Sequence, residues 1–372
     1  MKKILFVTGT RADYGKLKSL IQIVQKSKKF EGYVFVTGMH TLKKYGSTFI
    51  QLKKDMIKNI FKFDNQKNFK SMSLILSETI KGFNIIREKI KPDLVVIHGD
   101  RIEPMGCALD CVLNNCKVAH IEGGEVTGTI DELIRHSISK IAQFHFVTNL
   151  SAKKRLIQMG EKKNTIFVIG SPDIDVILSK KLPKISYVKK KYNIDFDSHA
   201  IAMLHPVTTD IEKLKKDVNI FFTTLKKSKK KYVIIYPNND LGSDMILKEI
   251  NKLKKNKFFK VLPSMRFEYF LTLLKNSKFI IGNSSAGIIE APYYGIKSIN
   301  LGDRQKNRFK YKSIINLKFN EKQILRNISK KDEKFKTIKY FGSGKSDKNF
   351  YKILNSKKIW KQSVQKYFND LT

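Results

Sequence analysis

The feature that most constrains the fold is an alternation that runs from the first residue onward. Apolar runs of five or six residues, rich in β-branched or aromatic side chains, alternate with longer amphipathic stretches. In the first half the runs are ILFVT at 4–8, YVFVT at 33–37, LVVIHG at 94–99, KVAHIE at 117–122, FHFVT at 144–148 and IFVIG at 166–170. They lack the polar–apolar alternation of a half-exposed strand, so both faces must be covered, as in a parallel sheet. Helical periodicity fills the gaps, for example over Tyr14–Lys28 and Leu133–Gln143. The second half repeats the scheme with AIAMLH at 200–205, YVIIYP at 232–237, FFKVLP at 258–263, FIIGN at 279–283 and KSINLG at 297–302. Helices are expected between these runs over 267–276 and Ser284–Tyr294. A chain of 372 residues is also longer than one core usually spans. The expectation is therefore α/β, with two Rossmann-like doubly wound domains, 1–180 and 181–350, joined near the Lys- and Pro-rich stretch Ser171–Ser198. A helical segment over 351–372 is placed to pack back on the first domain. Ligands of open α/β sheets bind beyond the carboxyl ends of the strands, so two such sheets facing one another would gather polar strand ends around a cleft.

Composition narrows the function. The net charge of +40 suggests nucleic acid at first sight, but nine of the 73 basic residues are arginine and the rest are lysine. Arginine is the residue that bidentate phosphate and base recognition prefers. The lysines are spread along the whole chain, so they read as a solvated surface that also attracts anionic substrates, with no nucleic-acid partner expected. Cys107, Cys111 and Cys116 lack a second ligand pair at zinc spacing and read as buried free thiols, with no metal expected. The run Ile4–Val7 is too short for a signal-peptide core, and no stretch has the length of a membrane span. A cytoplasmic protein without membrane attachment is expected.

Several segments carry chemistry. TGTRADYG, Thr8–Gly15, is a glycine turn after the first strand, with Arg11 placed for a phosphate or carboxylate and Asp13 as the alternative, a helix cap. Its spacing is not that of a dinucleotide fingerprint, so no nicotinamide cofactor is expected. HGDR sets Asp100 beside Arg101 at a strand end, where each could satisfy the other. In HIEGGEVTGTIDELIRHSISK, 120–140, the carboxylates Glu122, Glu125, Asp131 and Glu132 crowd around three glycines. Crowded carboxylates raise one another's pKa values, which suits proton transfer at neutral pH. Asp131 could equally start the helix that follows. His205 in HPVTTD and Asn238 in YPNNDLG end two strands of the second half. In GNSSAGIIEAPYYG, 282–295, Ser284 and Ser285 open a helix whose N-terminus would cradle a diphosphate, with Glu290 available to two ribose hydroxyls. Arg304 in LGDRQ stands at another strand end, placed to clamp a phosphate.

Taken in order, TGTRADYGKLK, HGDR, HIEGGE, GTIDELIRHSISK, HPVTTD, YPNNDLG and GNSSAGIIEAPYYG resemble the UDP-N-acetylglucosamine 2-epimerase family across the whole chain. The similarity is to its hydrolysing, sialic-acid-biosynthesis branch. The other branch has Pro-Glu after the first GTR, where this chain has Ala12-Asp13-Tyr14. The resemblance implies a GT-B-like pair of Rossmann domains, a UDP-sugar substrate, no cofactor and a homo-oligomer, dimer or tetramer. It makes Asp100, Glu122 and Asp131 the acid–base group and His205 the catalytic histidine near the diphosphate. Arg11, Arg101, Asn238, Ser284, Ser285, Glu290 and Arg304 become the nucleotide contacts. Asp244 stands where some relatives carry a lysine and is left out of that set.

The implied reaction fits these residue types. The C2 proton of the sugar has no adjacent carbonyl to acidify it, so elimination of UDP to 2-acetamidoglucal followed by hydration is the open route, giving N-acetylmannosamine. That route needs at least two proton-handling groups. The same residues would serve UDP-N,N′-diacetylbacillosamine, and a GT-B glycosyltransferase would share the second-half nucleotide site but would not need the acidic stretch. A protein gripping RNA would need arginine and aromatic clusters, which the sequence lacks.

Overall fold

The computed structural model describes residues 1–66, 71–207, 211–331 and 333–370. It divides into two compact units, one of residues 1–125, 131–179 and 340–372, the other of residues 126–130 and 180–339.

The first unit is built on a seven-stranded parallel sheet: β1 (Lys2–Thr8), β2 (Phe30–Val36), β3 (Ile60–Lys62), β4 (Leu94–His98), β5 (Val118–Ile121), β6 (Phe144–Val147) and β7 (Ile166–Val168). The order is β3-β2-β1-β4-β5-β6-β7, so the winding reverses between β1 and β4. Strand β1 shows why the apolar runs do not alternate. Ile4 and Phe6 enter one core with Leu17, Leu20 and Val24 of the helix Arg11–Gln25. Leu5 and Val7 enter the core on the other face with Phe83, Cys107, Cys111 and Ile138. Burying a side chain the size of Phe6 contributes roughly 2–3 kcal/mol, so β1 is anchored from both sides. The chain returns to this unit at Tyr340, and the helix Ser346–Leu354 lays Phe350 against Phe146, with ring centroids 4.8 Å apart. All three cysteines are free and buried.

The second unit repeats the plan with six parallel strands: β8 (Ala200–Met203), β9 (Tyr232–Ile235), β10 (Phe259–Leu262), β11 (Phe279–Gly282), β12 (Lys297–Leu301) and β13 (Ile314–Leu317). The order is β10-β9-β8-β11-β12-β13, and the winding reverses between β8 and β11. Its core packs Ala200, Ala202, Ile281 and Ile299 of the sheet against Leu214, Val218, Phe221 and Phe222 of the helix Ile211–Lys227.

The α/β class with two Rossmann-like doubly wound units is thus as expected. Two edge strands, β3 and β13, have no counterpart in the sequence reading, because three or four half-buried residues leave no periodic signal. The stretch taken as a connection, Ser171–Ser198, contains the helices Pro172–Ile177 and Ile185–Tyr192. Among the described residues no helix is long and apolar enough to cross a membrane.

Candidate active site

In the first unit the chemistry gathers where the winding reverses, at the carboxyl ends of β1, β4 and β5. After β1, the Thr10 hydroxyl accepts a hydrogen bond from the Asp13 amide at 3.0 Å, and the Asp13 carboxylate accepts one from the Gly9 amide at 3.0 Å. This reciprocal cap starts the helix at Arg11 and occupies the Gly9 N–H that an anion would have used.

The other Asp13 oxygen, Oδ1, lies 2.8 Å from His98 Nδ1, and His98 Nε2 lies 3.3 Å from Glu122 Oε2. Glu122 has φ of +64°, a left-handed conformation that costs a non-glycine residue energy and is held by its surroundings. Its amide donates to the Phe146 carbonyl at 3.0 Å. The Ser171 hydroxyl is in hydrogen-bond contact with both Glu122 Oε1 and Asp173 Oδ1, and Asp173 Oδ2 meets Lys16 Nζ at 2.9 Å. Six side chains, from two helices, one strand and the turns after β5 and β7, therefore form one chain: Lys16, Asp173, Ser171, Glu122, His98 and Asp13.

Burial alone would depress the His98 pKa. The Glu122 charge and the Asp13 hydrogen bond outweigh it and push the imidazole up to about 9. Burial likewise would raise Asp13, but the hydrogen bond and charge of His98 and the Gly9 amide hold it below the ordinary carboxylate value. Two neighbouring histidines behave oppositely. Burial takes His40 down to about 4 and His120 down to about 3, so both are neutral at physiological pH. His120 Nε2 lies 2.8 Å from the Gly99 carbonyl and Nδ1 lies 3.0 Å from the Ser139 hydroxyl, tying the turn before Asp100 to the helix Ile130–Ile141.

Asp100 and Arg101 do not simply neutralise one another. Asp100 pairs with the guanidinium of Arg135, itself 1% exposed, while Arg101 Nε donates to Glu103 at 3.4 Å. Arg135 stands one turn beyond Asp131, in the same helix. Asp131 lies in that helix's first turn, where a carboxylate is favoured by the helix dipole. Glu125 is buried and accepts from Thr148 and Asn149.

In the second unit the reversal point is organised by Asn283, 1% exposed, directly after β11. Its Oδ1 accepts from the His205 amide at 2.7 Å and its Nδ2 donates to the His205 carbonyl at 2.9 Å. His205 Nδ1 accepts from the Asn238 amide at 3.1 Å, so the neutral ring carries its proton on Nε2. Arg304 Nη1 donates to the Asn283 carbonyl at 3.3 Å, and the Gly128 amide donates to the Arg304 carbonyl at 3.0 Å. Gly128 fits because it has no side chain: a Cβ there would fall 1.9 Å from the Asp303 carbonyl oxygen.

The expected helix over Ser284–Tyr294 is not continuous. Ser284 caps a single 3₁₀ turn, Ser285–Gly287, and a short helix, Glu290–Tyr293, follows. Gly287 weakens helix propagation, and Pro292 has no N–H to donate to Ile288, so one long helix with a full dipole cannot form. Glu290 is buried at 3% exposure and, with burial, raises the Tyr294 pKa. A cavity of about 890 Å³ opens at this end of the sheet, lined among others by His205, Asn283, Lys213, Lys216, Asp303 and Phe319. That volume lies within the usual range for small-ligand sites. Thr208, Thr209 and Asp210 of the HPVTTD motif lie outside the described residues.

The structure thus joins His205 to Asn238, and Asp100 to the helix bearing Asp131; it sets Arg11 at the first helical position after β1 and Ser285 beyond the Ser284 cap. Sequence reasoning left out Lys16, His98, Arg135, Ser171, Asp173 and Asn283 and took Asp13 for a cap alone. His98, Ser171 and Asn283 were visible as polar residues at or just past strand ends, whereas Lys16, Arg135 and Asp173 lie inside helices; the pairing of none of them was visible.

Two doubly wound sheets, each with polar side chains gathered at its reversal point and one with a ligand-sized cavity there, define an α/β protein of the Rossmann-like class. Comparison with known proteins makes this specific. Residues 22–355 match the UDP-N-acetylglucosamine 2-epimerase family. The chain is 43% identical to the UDP-N-acetylglucosamine 2-epimerase of Neisseria meningitidis serogroup B, with 100% of both chains covered. It is 32% identical to the UDP-N,N′-diacetylbacillosamine 2-epimerase (hydrolyzing) of Legionella pneumophila, covering 98% of this chain and 99% of that one. The fold is similar to that of a crystal structure of a UDP-GlcNAc 2-epimerase from Neisseria meningitidis bound to UDP-GlcNAc, with a TM-score of 0.79, 21% identity, and 95% and 99% of the two chains covered. The Methanocaldococcus jannaschii enzyme in complex with UDP-GlcNAc and UDP is similar too, with a TM-score of 0.80, 23% identity and the same coverage. This chain belongs to the UDP-N-acetylglucosamine 2-epimerase family.

Proposed function

We propose that this protein is a hydrolysing 2-epimerase that converts UDP-N-acetylglucosamine into UDP and N-acetylmannosamine in the cytoplasm. The observation that carries the reading is end-to-end similarity, 43% to a UDP-N-acetylglucosamine 2-epimerase and 32% to a relative named as hydrolyzing. The Ala12-Asp13-Tyr14 sequence after the first GTR supports the hydrolysing branch.

In the first step the C2–H bond breaks, its electron pair forms the C1=C2 double bond, and UDP leaves C1 with the bonding pair of the glycosidic oxygen. In the second, water adds its oxygen to C1 while C2 takes a proton on the opposite face, giving the manno configuration. Redox chemistry is not needed. Asp100, Glu122 and Asp131 handle the protons in this reading. Arg11, Arg101, Asn238, Ser284, Ser285, Glu290 and Arg304 hold the nucleotide, with His205 beside the diphosphate. Charge that develops on the departing diphosphate is best stabilised by such fixed donors.

UDP-N,N′-diacetylbacillosamine is the second substrate to try, given the name of the Legionella relative. The test is to incubate the protein with each nucleotide sugar in heavy water and follow UDP release and the product. Deuterium at C2 of N-acetylmannosamine is the expected outcome. A product that keeps its original hydrogen at C2 overturns the elimination route, and UDP release from the bacillosamine compound alone moves the assignment to that sugar.

A further inference from the structure

The geometry points to Asp13 and His98 as a fixed pair of positioning residues that aim the Glu122 carboxylate and present a cation to it, so that Glu122 enters the reaction ionised, as the base and not the acid. This rests on the elimination reading above.

Three observations carry it. First, His98 is gripped at both ring nitrogens by carboxylates, at 2.8 Å by Asp13 and 3.3 Å by Glu122. A neutral imidazole carries a proton on only one of these nitrogens, whereas imidazolium presents an N–H and positive charge to both carboxylates at ion-pair distance. Secondly, Asp13 is itself fixed at both ends, its amide on Thr10 and its Oδ2 on Gly9, so it cannot swing away and release the ring. Thirdly, the remaining oxygen of Glu122 meets the Ser171 hydroxyl, which is backed by the Asp173–Lys16 pair. Ser171 has a single hydroxyl proton to share between Glu122 and Asp173, so the charge of the imidazolium 3.3 Å away is the main support for an ionised Glu122. The left-handed φ of +64° at Glu122 is the backbone cost of this aim.

Other charged or titratable groups surround the pair: Arg11 and Lys16 on the helix that follows β1, His40 after β2, His120 on β5 and Asp173 on the helix Pro172–Ile177. His40 and His120 are held neutral by burial, Lys16 is paired with Asp173, and the charges that raise His98 against its burial are those of Glu122 and Asp13. With its imidazole pushed up to about 9, His98 keeps its proton through neutral pH and loses it in mildly alkaline solution.

The test compares the full-length protein with Asp13→Asn and His98→Gln. In the wild type, kcat should fall as pH rises through about 9. Asp13→Asn removes one of the two charges supporting the imidazolium and should move that alkaline limb down by about one pH unit. His98→Gln keeps a donor toward Glu122 without charge, so kcat should fall roughly 10- to 100-fold, the alkaline limb should vanish and KM should change less than about threefold. A merely structural role would lower activity without moving the limb. Independently, the His98 ring resonance followed by NMR in the wild type should titrate near 9. Titration at or below about 6.5, the ordinary histidine value, overturns the proposal whether or not the variants fold. So does an alkaline limb that Asp13→Asn leaves in place. If the protein releases no UDP from either nucleotide sugar while His98 titrates near 9, the assigned reaction fails and the imidazolium pairing stands.

Discussion

The three carboxylates assigned to proton transfer are held in different ways, and the differences set what their replacement should do. Asp100 neutralises Arg135, a guanidinium buried to 1% exposure, whereas Asp131 lies half-buried in the first turn of a helix. Asp100→Asn leaves Arg135 with a neutral partner in a poorly solvated place, and breaking such a pair costs about 1–3 kcal/mol or more. Asp131→Asn gives up, at a half-buried position, a favourable helix-dipole contact of about 0.3–1 kcal/mol. Both should slow UDP release roughly 100- to 10,000-fold, the usual weight of acid–base catalysis, but Asp100→Asn should melt at clearly lower temperature than Asp131→Asn. Thermal melts beside turnover check this; equal melting temperatures would mean that the Arg135 pair does not carry the load assigned to it. At this scale the sequence was only partly legible. Asp100 and Glu122 stand out as acids beside glycine at strand ends. Asp13 does not, because an aspartate three residues after a threonine looks like any helix cap, and its partner His98 lies far along the chain. Which atoms meet across such a gap depends on strand order, and no local pattern encodes that.

Elements were more legible than pairings. Most strands buried on both faces announced themselves as largely apolar runs, although β12 buries Lys297, Ser298 and Asn300 and β5 and β6 bury His120 and His145. The failures lie where that rule lapses: edge strands β3 and β13, and the interrupted segment after β11, where Gly287 and Pro292 override an otherwise helical look. Glycines at strand ends divide by function in a way that can be measured. Gly282 closes β11 with φ of +132°, and a Cβ there would fall 1.8 Å from the Met203 carbonyl oxygen of β8. Gly99, after β4, has φ of +77° but no atom within 4 Å of its would-be Cβ. Gly99→Ala should therefore cost only the left-handed backbone strain, about 1–2 kcal/mol. Gly282→Ala must also push paired strands apart, and a loss of about 3 kcal/mol or more is expected. Denaturant midpoints of the two variants check the order, and a Gly282→Ala protein as stable as Gly99→Ala would show that β8 and β11 yield easily at that point.

For the molecule as a whole, buried histidines should give stability a maximum near neutral pH, with opposite causes on its two sides. His40, His120 and His199 have native values of about 4, 3 and 4, against an ordinary 6.5. Between those values and 6.5 the unfolded chain binds protons that the native protein refuses, so stability falls as pH drops. His98 runs the other way. Its native value of about 9 lies above 6.5, so the stability it contributes is fully present below 6.5 and is lost as pH rises through 9. Each histidine contributes on the order of 3–5 kcal/mol at most across its window. Unfolding at about pH 5 should therefore take up about three protons from these groups, and unfolding at about pH 8 should release about one. The net charge of +40 adds a self-repulsion that weakens as lysines titrate, which would blur the alkaline limb at low salt. Melts in several buffers at about 0.15 M salt or above, where surface charges are screened beyond about 8 Å, separate the two effects. The sign change in proton linkage is the decisive reading. If proton release near pH 8 disappears in His98→Gln and persists in a His120 variant, the alkaline limb belongs to the Asp13–His98–Glu122 chain; if it survives in His98→Gln, another group holds that proton and the native imidazolium is not the source of the limb.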